Sequence, residues 1–111
     1  MTWETLPGNV PCLILHGRQG RYAERFLSRA IRRIPVRRPR WIVLDLSESP
    51  LLPDVHLDLL LAAANTMALH RGRILILNPS ASLWESLAIR GAASLFSYAE
   101  NIDEAMALVV T

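Results

Sequence analysis

The stretch from Arg40 to Leu61, RWIVLDLSESPLLPDVHLDLLL, limits the fold more than any other part of the chain. Trp41-Ile42-Val43-Leu44 is an apolar run too short for a helix and β-branched in its middle, so it predicts a buried strand with Asp45 at its end. Ser47-Glu48-Ser49-Pro50 predicts a polar loop. Pro53-Asp54 then introduces a helix reaching about His70, with Asp54 as its N-cap and Gly72 as the glycine just past its end. A strand, a short loop and a helix start bring several backbone N–H groups and the positive end of a helix dipole to one spot on the surface. The working surface is therefore expected near Asp54-Val55-His56.

The rest of the chain repeats this alternation. Thr2, Trp3 and Thr5 are β-formers of an edge strand over residues 1–6, and Pro7-Gly8-Asn9 is a turn. Val10 to His16 predicts a strand and Gly17 to Gly20 a loop. Tyr22 to Ile34 predicts an amphipathic helix, apolar at Tyr22, Phe26, Leu27, Ala30, Ile31 and Ile34 and ended by Pro35. In the second helix, Leu57, Leu60, Leu61, Ala64, Met67 and Ala68 are expected to face the core. Arg73 to Leu77 predicts a central strand. Ser82-Leu83-Trp84-Glu85 reads as a capping box for a helix ending near Gly91. Leu95 to Ala99 predicts a weaker strand, and Asn101-Ile102-Asp103-Glu104 opens a last helix. Strands alternating with helices give the α/β class: a single-layer, mostly parallel mixed β-sheet with about four helices, in one domain over residues 1–111.

The order of these features resembles the STAS domain, the sulfate transporter and anti-sigma factor antagonist family. The residues that carry the resemblance are VLDLS (43–47), the polar helix start after it and the Leu-rich helix beyond, and it extends roughly from Val10 onward. In that family a strand ends in an Asp like Asp45. A helix then opens on Asp-Ser-Ser/Thr-Gly, whose second hydroxyl is phosphorylated. Laid on this chain without gaps, those four positions are Pro53, Asp54, Val55 and His56. The phospho-acceptor position is thus Val55, which has no hydroxyl. The resemblance implies a STAS-like fold and a cytoplasmic, bacterial regulatory module. Its partners would be proteins: anti-sigma factor kinases, stressosome-type assemblies or transporter subunits.

Composition narrows the alternatives. Cys12 is the one cysteine, set in the apolar run from Val10 to Leu15, so it is expected to be a buried structural thiol and no intrachain disulfide can form. The longest stretch without Asp, Glu, Lys or Arg is Thr5 to Gly17, thirteen residues, short of the ~20 needed to span a bilayer. His16, His56 and His70 show no ligand spacing, so no metal is expected. Scattered glycines and the absence of lysine argue against a phosphate-binding loop, and hence against a cofactor held by one. No G-x-S-x-G or comparable nucleophile motif accompanies the carboxylates Asp54 and Asp58, so no enzyme is expected.

The charge is unevenly spread. Residues 18–40 hold nine of the twelve arginines and one acid, a net +8, while the remainder nets −6. Arg21, Arg25, Arg29 and Arg32 form one stripe of the Tyr22–Ile34 helix. The plain reading is a solvated face, and the functional one is a surface for an anionic partner. Nucleic acid fits poorly, because no exposed aromatics interleave the stripe.

The expected partner-binding residues are Pro53, Asp54, Val55, His56 and Asp58, with loop contacts from Ser47, Ser49, Asn78 and Ser80. Plain readings stand beside them: Asp54 as a cap, and His56 as a passive surface residue. The alternative function is a small-molecule or nucleotide site at the carboxyl ends of the strands, formed by Gly17–Gly20, Ser47–Pro53 and Asn78-Pro79-Ser80. A homodimer is compatible with either.

Overall fold

In the computed structural model, five strands form one sheet whose spatial order is the order of the chain: β1 (Thr2–Leu6), β2 (Val10–His16), β3 (Trp41–Glu48), β4 (Arg73–Leu77) and β5 (Phe96–Ala99). Residues 2–16, 29, 40–48 and 54–109 are described. β1 pairs antiparallel with β2, from Thr2 opposite Ile14 to Leu6 opposite Val10. The other three pairings are parallel. The β1–β2 turn uses positive φ at Gly8 and Asn9, the residue types that adopt it at least cost.

Three α-helices lie among the described residues: α1 (Asp54–Leu69), α2 (Ala81–Ile89) and α3 (Ile102–Val109), with a 3-10 turn at Ala93–Leu95 ahead of β5. The helix expected over Tyr22–Ile34 falls outside the described residues, except that Arg29 is helical and exposed. Parallel neighbours joined by right-handed crossovers in a constant direction put their helices on one face. Accordingly α1 and α2 bury Leu57, Leu60, Met67, Leu83 and Leu87 against Leu13, Leu15, Ile42, Leu44, Ile74 and Ile76. The opposite face carries Val10, Cys12, Val43, Leu75, Leu77 and Ala99, and α3 packs there through Ala105 and Val109. β4 is buried from Ile74 to Leu77, as its unbroken apolar run requires of a strand covered on both faces.

Several local expectations are corrected. β3 does not stop at Asp45 but runs to Glu48, because β2 offers a pairing partner that far, His16 opposite Glu48. Tertiary pairing overrides the polar character of Ser47 and Glu48. Asp54 is the first helical residue of α1 and not its N-cap. Along α1 the buried alanines are Ala63 and Ala64, while Ala68 is exposed. The cap of α2 is Ser80, whose Oγ accepts the Leu83 N–H at 3.1 Å, so Ser82 heads no capping box. The left-handed residue after α1 is Arg71, φ 60°, and not Gly72. α3 starts as expected, with the Asn101 side chain accepting the Glu104 N–H at 2.8 Å.

Candidate functional site

Because β3, β4 and β5 run parallel, their carboxyl ends and the starts of α1, α2 and α3 meet at one end of the sheet. Sequence places Ser47, Asp54, Asn78, Ser80 and Asn101 there. Asp45 is half-buried in β3, and its Oδ1 accepts the N–H of Ser47 at 2.9 Å, a bond made inside the strand just where the β2–β3 register shifts. Asn78 is exposed, with φ 56°, and donates its N–H to the Ala99 carbonyl at 2.7 Å. Ser80 is spent on the α2 cap. The loop residues expected as contacts thus have structural work of their own. Ser49 and Pro53 lie outside the described residues, as do Arg21, Arg25 and Arg32.

The first turns of α1 present their acids outward. The side chains of Asp54 and Asp58, four residues apart and so on one helix face, are 90% and 67% exposed. Asp54, in the first turn, sits where a negative charge meets the positive end of the helix dipole, and Asp58 follows one turn on. Val55 is helical in the same turn, and its side chain lies outside the described set. His56 is not a surface residue. It is 8% exposed, the only buried polar or charged residue among those described, so it turns into the molecule and offers a partner almost nothing.

A residue missed in the sequence completes this surface. Arg90, at the end of α2, bonds through Nη1 to Asp58 Oδ1 and brings Nη2 to 3.6 Å from Asp54 Oδ1. The two acids are therefore not an unbalanced pair. Spacing of four along α1 signals that they share a face, but nothing in a sequence says that an arginine thirty-two residues away will reach both. These groups are exposed enough for water to screen them, so the contact stabilises the fold by at most ~1 kcal/mol. Its larger effect is on pattern: a mixed-charge rim in place of a purely acidic one.

Among the described residues no His, Cys, Asp or Glu side chains converge as a metal-binding group, and no helix is long and apolar enough to cross a membrane.

Fold comparison finds the same sheet and helix succession in solved structures. The chain superposes on the anti-sigma factor antagonist SpoIIAA in its unphosphorylated form with a TM-score of 0.75 at 16% identity, covering 98% of this chain and 96% of that one. It matches the protein TM1081, solved by NMR, with a TM-score of 0.79 at 16% identity, over 97% of this chain and 86% of that one. No protein-family model and no curated protein matches the sequence. The likeness is one of fold, and it agrees with the resemblance carried by VLDLS and the helix that follows.

Proposed function

We propose that this chain is a non-catalytic, cytoplasmic regulatory module that binds a protein partner through the start of α1 and is not switched by phosphate at the usual helix-start position. One observation carries the reading. On a STAS-like fold, the phospho-acceptor position is held by Val55, flanked by the exposed acids Asp54 and Asp58 and by Arg90. The residues that meet the partner are Asp54, Val55, Asp58 and Arg90, with His56 supporting the turn from inside. Partners of the kind implied are an anti-sigma factor kinase, a stressosome-type assembly or a transporter subunit.

The test is Val55→Glu beside Val55→Ser. A carboxylate in the first turn is favourable to the dipole, and Glu has the better helix propensity, so the fold should tolerate the change. A partner packed on Val55 must then desolvate a charge set beside two acids, and Arg90 is already shared by that pair. That costs a few kcal/mol, on the order of a hundredfold in affinity. Expected are melting temperatures near wild type for both variants. In pull-downs from native extract, quantified by mass spectrometry, a protein held by wild type and Val55→Ser is lost by Val55→Glu. An identical set of captured proteins for all three would move the interface off this helix. Thermal shifts with nucleotides, carried out beside it, test the small-molecule alternative.

A further inference from the structure

The sheet ends on β5, and a side chain from β4 is fastened across that edge. The Asn78 N–H bonded to Ala99 C=O fixes the alternation of β5. Ala99 and Ser97 turn their backbone groups toward β4, while Phe96 and Tyr98 turn theirs outward. Arg73 opens β4 on the same face as Ser97. Its Nε donates to Ser97 Oγ at 2.7 Å, and its Nη2 donates to the carbonyls of Ser94 and Phe96, each at 2.9 Å. The guanidinium thus crosses β5 and occupies the outward acceptor of Phe96. A planar fork suits three acceptors set around one strand end, which a single ammonium does not.

An open edge strand is a template for another strand. Phe96-Ser97-Tyr98-Ala99 is uncharged, and it is self-complementary. A second copy paired antiparallel about a two-fold axis at Ser97 sets Phe96 opposite Tyr98, both with outward groups. Phe96 N–H then meets Tyr98 C=O, and Tyr98 N–H meets Phe96 C=O, each repeated by symmetry. Leu95 falls opposite Ala99 and Ser94 opposite Glu100, so no like charges face each other. Beside the edge, Trp84 stands against Tyr98 with ring centroids 4.4 Å apart and is 46% exposed, as is Leu95 at 36%, which gives a second copy apolar surface to cover. Two of the four hydrogen bonds in this pairing need the Phe96 carbonyl, the group that Arg73 holds.

We propose that Arg73 is an edge lock: by occupying the Phe96 carbonyl it prevents β5 from pairing with β5 of a second copy, in a register that sets Phe96 opposite Tyr98. The contact is autoinhibitory, and self-association follows its release. The experiment compares wild type with Arg73→Ala by light scattering on size-exclusion chromatography over rising concentration. Expected is a monomer mass for wild type and a concentration-dependent dimer mass for the variant. Ser97→Cys reads the register, because the two Ser97 positions face each other across the axis in a non-hydrogen-bonded pair, close enough for a disulfide. Mild oxidation should cross-link Arg73→Ala/Ser97→Cys into dimers and cross-link Ser97→Cys alone far less, because that variant loses the Nε bond but keeps Arg73 Nη2 on the Ser94 and Phe96 carbonyls. If circular dichroism shows Arg73→Ala unfolded, Arg73→Lys takes its place, since one ammonium cannot span the three acceptors. A folded Arg73 variant that stays monomeric and does not cross-link would overturn the proposal. So would cross-linking of Ser97→Cys to the same extent with Arg73 in place.

Discussion

Single residues in this protein are governed by what lies beside them in space, and Cys12 shows it in a measurable way. Burial first, then the negative charges of Asp45 and Glu4, push its thiol up to about 11. Folding therefore favours the protonated thiol. Its contribution to stability is complete below the ordinary thiol value of about 8.5 and is lost as pH rises from there toward about 11. Tyr98, also raised by burial, works in the same direction. Denaturant unfolding across that alkaline range should show falling stability, with a shallower fall for Cys12→Ala. The native thiol should resist alkylation at neutral pH, whereas the unfolded chain reacts. A cysteine inside Val10–Leu15 was legible as a buried thiol from the sequence. The partners of Arg73 and Arg90 were not, because each joins residues brought near only by the sheet and its crossovers. His56 misled for a related reason. Position in a first helical turn says nothing about which way the side chain points when the helix lies against a sheet.

At the scale of elements, strand and helix cores were legible and their ends less so. β4 runs from Arg73 to Leu77 as its apolar pattern demands, whereas caps are decided by competition between neighbours. Ser80 and Ser82 are equally good caps on paper, and the chain's exit from β4 selects Ser80. The two helix ends give a matched comparison. After α2, Gly91 N–H bonds to Ala88 C=O and Ala92 N–H to Leu87 C=O; after α1, Arg71 N–H bonds to Ala68 C=O and Gly72 N–H to Met67 C=O. These are the same Schellman motif, with the left-handed residue a glycine in one and an arginine in the other, φ 66° and 60°. A side chain in that conformation costs on the order of 1 kcal/mol, less what glycine loses in chain entropy. Arg71→Gly should stabilise the protein by about 0.5 kcal/mol, and Gly91→Ala should destabilise it by about 1 kcal/mol. Chemical denaturation of the two variants measures both. A lower midpoint for Arg71→Gly would show that the arginine side chain has a stabilising partner outweighing its backbone cost.

At the scale of the molecule, alternation of strand and helix announced the α/β class, and the resemblance carried by VLDLS pointed to the particular fold, yet strand order was not legible. Handedness rules fix how each crossover turns, while the direction in which the sheet grows depends on packing of whole faces. The concentration of arginine over residues 18–40 is likewise a whole-molecule feature, and Arg29 is exposed as a charged face requires. Replacing Arg21, Arg25 and Arg29 with Gln should leave the melting temperature nearly unchanged. If the stripe meets an anionic partner, the triple variant binds more weakly and with a flatter salt dependence; equal affinity at low salt would return it to a solvated face.

A sheet whose spatial order is its chain order is also one that a ribosome can deliver in sequence. As the polypeptide emerges N-terminus first, β1 and β2 can close on each other, and each later strand meets an edge already standing. No strand must wait for a centre that is still unmade, as it must where a sheet is wound outward from its middle. The cost of such growth is that every stage exposes a newly made edge, beside the standing edge of β1, to other nascent chains. Arg73, carried on the strand just before the last, is in place to cover that edge as soon as β5 docks.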